Sequence, residues 1–416
     1  MSGGKTKAVT PRLRFPEFRD AGPWEVKRLG DLGPVSMCKR VMKAQTAPTG
    51  DVPFYKIGTF GNEADAYISR DLYKEFKSKY SFPKKGDILI SAAGTIGRTV
   101  VYDGEPAYFQ DSNIVWIAND EKLATNKFLN FAYQKVRWRT DDNTISRLYN
   151  DNLRSIKVAL PSLPEQQKIA NCLSSLDELI RAEASRLEAL QAHKKGLMQQ
   201  LFPVDGETNP RLRFPEFRDA GPWEVKRLGK VCEITGGGTP SRSIKKFWNG
   251  DIPWISSSDV SDESIHELNI TRRITIEAVS KSATKIVPAN SILLVSRVGV
   301  GKLAVSRIPV CTSQDFTNLT PNEDDSLFLG YYLSAWANVL KSFSQGMAIQ
   351  GFTKEDIENL AIPIPKVSTG EQQKIADCLT SLDDLIRAQG ERIEVLKQHK
   401  KGLMQQIFPS LDEVRE

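Results

Sequence analysis

The sequence predicts an α+β protein in which two mixed α/β domains, related by an internal repeat, are joined by two long helices that form a coiled coil. The segment PRLRFPEFRDAGPWEVKRLG occurs at residues 11–30 and returns unchanged at 210–229. Residues 165–202 and 371–408 share one pattern of apolar positions. Between these segments each half carries short β-like runs in the same order. A duplication of about half of the 416-residue chain accounts for all three observations.

Each long helix is predicted from a narrow apolar stripe. Leucine and isoleucine recur at alternating spacings of four and three residues, which is the pattern of a coiled-coil seam. Polar residues interrupt both copies of this seam at equivalent places, Glu183 and Lys194 in the first and Gln389 and Lys400 in the second. Two unrelated helices, each packed on its own domain, would not need to share both the seam and its interruptions. The predicted seam residues are Ile169, Leu173, Leu176, Ile180, Leu187, Leu190, Leu197, Leu201, Ile375, Leu379, Leu382, Ile386, Ile393, Leu396, Leu403 and Ile407.

The ends of both helices carry start and stop signals. A capping box of the form Ser-x-x-Glu precedes each helix and a Phe-Pro pair follows it. These signals are Ser162 with Glu165, Ser368 with Glu371, Phe202-Pro203 and Phe408-Pro409. The predicted organisation is an N-terminal arm and first domain at 1–160, a first long helix at 161–204, an arm and second domain at 205–365, and a second long helix with a tail at 366–416.

The domain between each arm and its helix is predicted to be rich in short strands. Apolar and β-branched runs alternate with Gly, Pro, Asn and Asp. In the first half the runs are 52–58, 87–94, 98–102, 113–118 and 156–160, and in the second they are 251–257, 291–296, 302–306, 316–321 and 360–365. Helical stretches at 127–138 and 327–343 come late in each half. The stretches between matching runs differ strongly, so one framework carries two different variable surfaces.

The repeated segments at 11–30 and 210–229, which we call the arms, contain bulky aromatic residues next to prolines. Phe15, Phe18 and Trp24 in the first arm are suited to packing against a folded surface. We therefore predict an extended arm that packs back on its domain. Direct contact of its arginines with DNA is the alternative.

Composition excludes several classes of protein. The five cysteines are scattered without a CxxC pair and there are only three histidines, which argues against a disulfide scaffold and a zinc site. No segment approaches the roughly 20 apolar residues of a membrane span, and MSGGKTKAVT is not a signal peptide, so we expect a cytoplasmic protein. Basic residues outnumber acidic ones by eight in residues 1–160 and by one in residues 211–365. A polyanion is thus expected to bind outside the helices.

No catalytic constellation emerges from the motifs. A phosphate loop, HExxH, G-x-S-x-G and the [ND]-P-P-[YFW] motif of amino-methyltransferases are all missing, and the Gly299–Gly301 stretch is better interpreted as a turn between strands. Basic, aromatic and amide residues in the divergent loops suit contact with phosphates and base edges, although any one alone would be an ordinary surface residue. These candidates are Lys39, Arg40, Lys43, Lys77, Lys79, Arg98, Arg147, Tyr149, Arg242, Lys245, Lys246, Arg297, Lys302, Gln345 and Gln350.

Each half ends in a proline-containing strand that leads into its long helix, KVALPSLPEQQKIA in the first and AIPIPKVSTGEQQKIA in the second. The motifs GGGTPSR and FWNGDIPWISSSDV and the pair GDILISAAGTIG and SILLVSRVGVG lie within the two domains. With the internal repeat, these motifs closely resemble the specificity subunit of type I restriction-modification systems, and the likeness covers essentially the whole chain. One departure is the entry to the second helix, Lys366 to Gly370, which lacks a proline equivalent to Pro164.

The resemblance implies that the two helices lie antiparallel and that each domain is a target recognition domain for one half of a bipartite DNA site. It also implies two methyltransferase subunits, which bind S-adenosylmethionine and methylate adenine, and two motor-nuclease subunits, which use ATP and Mg²⁺. No cofactor or metal is then expected on this chain, and it is not expected to be an enzyme. The faces of the helices that flank the seam, together with the arms at 11–30 and 210–229, are the candidate surfaces for these partners.

Two rival functions remain open on the sequence. One is a two-site DNA-binding regulator, or a coiled-coil scaffold, that acts alone. The small charge excess of the second domain speaks against a lone binder, which would rely on phosphate contacts for its affinity. The other rival is a stand-alone methyltransferase, which the missing motifs disfavour.

Overall fold

The computed structural model describes residues 8–136, 138, 148, 150–336 and 351–410. The chain divides into two compact units, residues 1–182 with 393–416 and residues 183–392, which we call the first and second units. The long helices α5 (Leu163–Leu201) and α10 (Glu371–Ile407) each contribute a segment to both units. None of the described helices is long and apolar enough to cross a membrane.

The first unit combines three small sheets with short helices. Its sheets have the strand orders β1-β2-β10, β3-β9-β6-β7 and β5-β4-β8, and all pairs are antiparallel except β4 with β8. The strands are β1 (Ala8–Val9), β2 (Trp24–Arg28), β3 (Val35–Ser36), β4 (Val52–Tyr55), β5 (Tyr67–Ile68), β6 (Ile88–Ser91), β7 (Thr99–Val101), β8 (Tyr108–Phe109), β9 (Ile114–Ile117) and β10 (Lys157–Leu160). The short helices are α1 (Leu29–Leu32), α2 (Arg70–Lys79), α3 (Asn126–Tyr133) and α4 (Asn150–Ser155).

The second unit repeats this plan. Its sheets are β11-β20, β12-β19-β16-β17 and β14-β13-β18-β15, and again one pair, β13 with β18, is parallel. The strands are β11 (Glu224–Arg227), β12 (Cys232–Gly236), β13 (Ile252–Ile255), β14 (Arg273–Ile274), β15 (Ile286–Val287), β16 (Ser291–Val295), β17 (Leu303–Ser306), β18 (Val310–Thr312), β19 (Phe316–Pro321) and β20 (Ala361–Ile364). The short helices are α6 (Leu228–Val231), α7 (Ile276–Ser280), α8 (Ser326–Ala335) and α9 (Lys354–Asn359).

Every β-like run predicted from the sequence contains a strand, so the α+β prediction is confirmed. The predicted helical stretches overlap α3 and α8, each of which begins one residue earlier than predicted, after the N-caps Thr125 and Asp325. Their C-terminal parts lie partly outside the described residues. Gly299 and Gly301 have positive φ values of 88° and 89° in the turn between β16 and β17, which confirms the turn predicted there.

The central sheet of each unit is buried on both faces. Along β6, Ile88 and Ile90 face a core shared with α3 and the long helices, whereas Leu89 faces a second core beneath β4 and β8. In β16, Ile292 and Leu294 face the helix-side core and Leu293 faces the other. Alternate residues of a strand point to opposite faces, so burial on both sides requires a continuous apolar run. This explains why ILIS and SILLV lack the usual polar alternation.

Each arm is fixed to its unit by a strand and by a buried ion pair. Strand β2 in the first arm pairs antiparallel with β10, immediately before α5. Arg14 donates two hydrogen bonds to the Glu165 carboxylate, with lengths of 2.7 and 2.6 Å. The indole nitrogen of Trp24 donates a third, at 3.2 Å. The prediction of an arm packed on its domain is confirmed, and the anchor is the first turn of the long helix.

This anchor corrects the predicted capping boxes. The Glu165 side chain accepts bonds from Arg14 and Trp24 instead of capping its own helix. In the second unit Glu371 accepts two bonds of 2.7 Å from Arg213, while its backbone N–H donates to the Thr369 hydroxyl. Arg14 and Arg213 are largely buried, and each guanidinium takes the carboxylate because an unpaired buried charge costs several kcal/mol.

The two long helices pair antiparallel within each unit, and their seam is confirmed. In the first unit Ile169 and Leu173 of α5 share a core with Met404 and Ile407 of α10. In the second unit Leu201 of α5 shares a core with Ile375 and Leu379 of α10. All the predicted seam residues are buried or half-buried.

The polar interruptions of the seam are paired across the helices. In the first unit Lys400 contacts Asp177 at 2.6 Å. In the second unit Lys194 contacts Asp383 at 2.5 Å, and the Gln389 amide donates to the Glu183 carboxylate at 2.6 Å. Arg392 also reaches Glu183, at 2.8 Å. Polar seam residues that find a partner in only one alignment specify register, which explains why the interruptions recur in both copies.

Candidate nucleic-acid interface

In the first unit β8 and the residues that follow it support two exposed loops. The Tyr108 hydroxyl donates to the Lys39 carbonyl at 3.0 Å, and the Asp111 carboxylate accepts from the Arg40 side chain at 2.9 Å. Both bonds hold the loop at residues 37–45. The backbone N–H of Ala92 donates to the Asn113 carbonyl at 2.7 Å, which fixes the hairpin tip at residues 92–98. Residues 108–113 thus hold both loops next to each other.

The second unit has the same arrangement around the end of β18 and the residues that follow it. The N–H of Gly238 donates to the Thr312 carbonyl at 2.8 Å, and the Thr239 hydroxyl bonds to the Gln314 side chain. The N–H of Ser296 donates to the Asp315 carbonyl at 2.7 Å. Residues 312–315 therefore hold the loop at 237–246 and the hairpin tip at 296–302. We call each support with its two loops a loop pair.

Glycine and tryptophan explain how the second loop lies so close to its support. A Cβ on Gly237 would overlap the Ser313 carbonyl oxygen, so only glycine fits there. The buried Trp254 indole donates to the Gly238 carbonyl at 2.9 Å. Arg272 lies over the Trp254 ring and pairs with the buried Asp259. The motifs GGGTPSR and DIPW thus form one scaffold for the loop, a contact that the sequence pattern did not predict.

Several predicted DNA-contact residues already have partners inside the protein. Arg40 pairs with Asp111, Lys79 with Glu75, Lys246 with Glu277 and Lys302 with Asp262. One Arg98 guanidinium nitrogen donates to the Phe60 carbonyl. Lys77 donates to the Tyr73 hydroxyl, and Lys39 lies 5.0 Å from the centre of the Tyr80 ring. Lys246 and Lys281 both bond to Glu277 and lower the pKa of its carboxyl group to about 2, which keeps that group charged.

Four candidates have no ion-pair, hydrogen-bond or cation–π partner for their side chains within the described part of the chain. Lys43 lies on the first loop of the first unit, whereas the other three lie on the loop pair of the second. Arg147, Tyr149, Gln345 and Gln350 lie outside the described residues. A loop cation without a partner in the protein can bind a phosphate or a base edge without first breaking an ion pair or a hydrogen bond. These four are Lys43, Arg242, Lys245 and Arg297.

The described residues offer no sign of a redox or metal centre. Burial raises the pKa of Cys38 and of Cys232 to about 12, so neither thiol is an activated nucleophile near neutral pH. No group of three or more His, Cys, Asp or Glu side chains in the described ranges is placed to hold a metal ion. The geometry defines a class of protein, one with two similar scaffolds that each display cations on a supported pair of loops.

Comparison with known proteins narrows this class to a family. The family model for the type I restriction modification DNA specificity domain matches residues 22–192 and again residues 221–398. The chain belongs to this family. The double match confirms the internal repeat, and family membership confirms the prediction of a DNA specificity subunit rather than an enzyme.

Related proteins match over different lengths. A putative type I restriction enzyme specificity subunit of Haemophilus influenzae is 60% identical over 156 residues, which is 37% of this chain and 40% of that protein. The MjaX specificity subunit of Methanocaldococcus jannaschii, also a putative one, is 26% identical and the match covers 92% of each chain. The crystal structure of a type I S subunit from M. genitalium has a TM-score of 0.60 at 16% identity and covers 97% of this chain and all of the other, which shows a shared fold.

Proposed function

We propose that each unit reads one half of a bipartite DNA sequence through its loop pair, within a type I restriction-modification complex. The observation that carries this proposal is the repetition of one support with two loops whose exposed residues differ. Hairpins β6–β7 and β16–β17 pair in the same register, with Ile90 opposite Thr99 and Leu294 opposite Leu303. The two units share a backbone frame but expose different side chains at the same positions. They therefore contact DNA in the same way but recognise different base sequences, so the half-sites are unlike.

The paired helices set the number of base pairs between the half-sites. A rigid spacer is needed because two domains that read one duplex must meet it with a fixed spacing and on a fixed side. The Lys–Asp pairs fix the register of α5 against α10, so the spacer has one length. We retain the organisation 1–160, 161–204, 205–365 and 366–416 for the two recognition domains and the two helices, in a cytoplasmic protein.

Two copies of one methyltransferase subunit dock where three repeated segments meet in each unit. In the first unit the N–H of Leu13 in the arm donates to the Gln406 carbonyl at the end of α10, while Arg14 binds the start of α5. In the second unit Leu212 and Gln200 form the same bond. Leu13 and Leu212 remain 38% and 39% exposed. The same exposed residues occur in both units, which suits binding of the same partner twice.

The chemistry of the system belongs to partner subunits in this proposal. S-adenosylmethionine is bound by the two methyltransferase subunits, and ATP with Mg²⁺ by the two motor-nuclease subunits. This chain contributes sequence recognition and docking surfaces. A lone DNA-binding regulator, the alternative, would need tight specific binding without a methyltransferase partner.

Exchanging residues 31–160 for the corresponding domain of a relative with another target should change one half of the methylated sequence. The other half and the gap should stay as they were, because the second loop pair and both helices are untouched. The measurement is a map of methylated adenines in cells that co-express the chimera and the methyltransferase subunit. The matched control exchanges residues 230–359 instead and should change only the other half of the methylated sequence. If either exchange alters both half-sites, the two units do not read their half-sites separately.

A further inference from the structure

The hairpin tip of the second unit presents an arginine and a valine side by side at the end of a rigid element. Strands β16 and β17 are buried along their whole length. At the tip, Arg297 is exposed and Val298 is 69% exposed. Exposure of an aliphatic side chain to water is unfavourable, and most of the other apolar residues of this hairpin are buried.

The tip is held in place by its own backbone and by its support. The Val295 N–H donates to the Lys302 carbonyl at 2.8 Å and the Gly301 N–H to the Val295 carbonyl at 3.1 Å. Ser296 bonds to the Asp315 carbonyl through both its N–H and its hydroxyl. Lys302, at the far side of the turn, is tied to Asp262 at 2.6 Å. Within the described ranges of the chain, Arg297 and Val298 are therefore the side chains that this tip leaves available.

The equivalent tip in the first unit carries different side chains on the same frame. Ser296, Arg297 and Val298 correspond to Ala92, Ala93 and Gly94, because the two hairpins share register and the glycine at Gly97 and Gly301. Neither Ala93 nor Gly94 can donate a side-chain hydrogen bond, and Gly94 has no side chain to present. The backbone of the hairpin is the same in both units, whereas the side chains at its tip differ. This difference is expected of residues that determine specificity and not of residues that stabilise the fold.

We propose that Arg297 and Val298 read two adjacent base pairs in the major groove, a guanine through the guanidinium and a thymine through its methyl group. This inference rests on the proposed function. Arginine recognises guanine by donating two hydrogen bonds to O6 and N7, and an apolar side chain distinguishes thymine through its C5-methyl. A valine contributes nothing to a phosphate contact. Its exposure next to a guanidinium that has no partner among the described residues therefore favours base edges over the DNA backbone.

The test uses the full-length chain assembled with its methyltransferase subunit and duplexes that carry its mapped site. Each thymine of the second half-site is replaced in turn by uracil, which lacks only the methyl group. Each guanine is replaced by 7-deazaguanine, which lacks the N7 acceptor. Binding is measured for the wild type, Val298→Ala and Arg297→Gln. Ile276→Ala is the matched control, because Ile276 is 67% exposed on α7 of the same unit.

One uracil position should weaken wild-type binding by about tenfold and leave the Val298→Ala variant unaffected. At one neighbouring position, 7-deazaguanine should weaken binding of the wild type and leave binding of the Arg297→Gln variant unaffected. Substitutions in the first half-site should weaken the wild type, both tip variants and the control equally, and Ile276→Ala should follow the wild type throughout.

Two other outcomes separate the proposals. If the complex discriminates its site from one with a scrambled second half, yet no base analogue is coupled to either variant, the tip contact is wrong and the proposed function stands. Arg297→Gln could instead weaken binding to every duplex and lower the slope of log affinity against log salt concentration by about one. That result would show a phosphate contact and would also overturn the proposed base contact. If the complex does not discriminate at all, both proposals fail.

Discussion

Glu165→Gln should lower the free energy of unfolding of the first unit by about 3 to 5 kcal/mol, because it removes one partner of a buried ion pair. The side chains of Arg14 and Glu165 are 8% and 1% exposed, so the guanidinium would keep its charge without a carboxylate beside it. The bond from the Trp24 indole would weaken too. Denaturant unfolding monitored by tryptophan fluorescence gives the measurement, and Glu371→Gln should have the same effect on the second unit.

Two control variants show whether the buried pair is the cause. Glu178→Gln changes an exposed carboxylate on the same helix and should cost no more than about 0.5 kcal/mol. The double change Arg14→Met with Glu165→Leu removes both charges and should recover much of the loss, since apolar replacements of buried pairs are often neutral. Equal effects of Glu165→Gln and Glu178→Gln would show that the arm is not anchored at Glu165.

Duplicating one heptad in both long helices should abolish methylation at the natural sites and create methylation at sites with a longer gap. Repeating residues 183–189 in α5 and 389–395 in α10 preserves the seam and duplicates the Glu183–Gln389 pair, because both heptads carry equivalent seam positions. Seven residues add about 10 Å of helix, or about three base pairs at about 3.4 Å each. Both half-sites should stay the same, and a map of methylated adenines shows the new gap.

The matched control duplicates the heptad in only one helix. The Lys194–Asp383 or Lys400–Asp177 pair would then lose its register, which leaves buried polar groups unpaired. We expect this variant to express as a poorly folded chain with little methylation of any site. Methylation of the natural gap by the doubly lengthened protein would show that the helices do not set the spacing.

Much of the fold follows from the sequence because its signals are local and duplicated. The seam residues alternate at four and three, and their burial follows directly from that pattern. The strand predictions succeed because runs such as ILIS and SILLV are bounded by glycine, asparagine and aspartate. The repeat adds weight to each signal, since a weak run in one half has a counterpart in the other.

The contacts between distant segments could not be predicted in the same way. Glu165 fits a capping box, and only the folded chain brings Arg14, 151 residues away, to its carboxylate. The pairing of β2 with β10 joins residues from opposite ends of the first domain. Likewise the sequence selected lysines and arginines by type, whereas ion pairs such as Lys302 with Asp262 depend on tertiary structure. Val298 was missed because a valine between strands looks like part of the core.

The most direct test of separate half-site reading is a map of methylated adenines after co-expression of this chain with the methyltransferase subunit encoded beside it. Single-molecule sequencing reports the methylated motif whatever its base sequence. A single motif with two unlike halves and a fixed gap of several base pairs is the result we expect. Absence of a stable complex and of new methylation, with the purified chain still binding DNA specifically by itself, would contradict the account and favour a lone regulator.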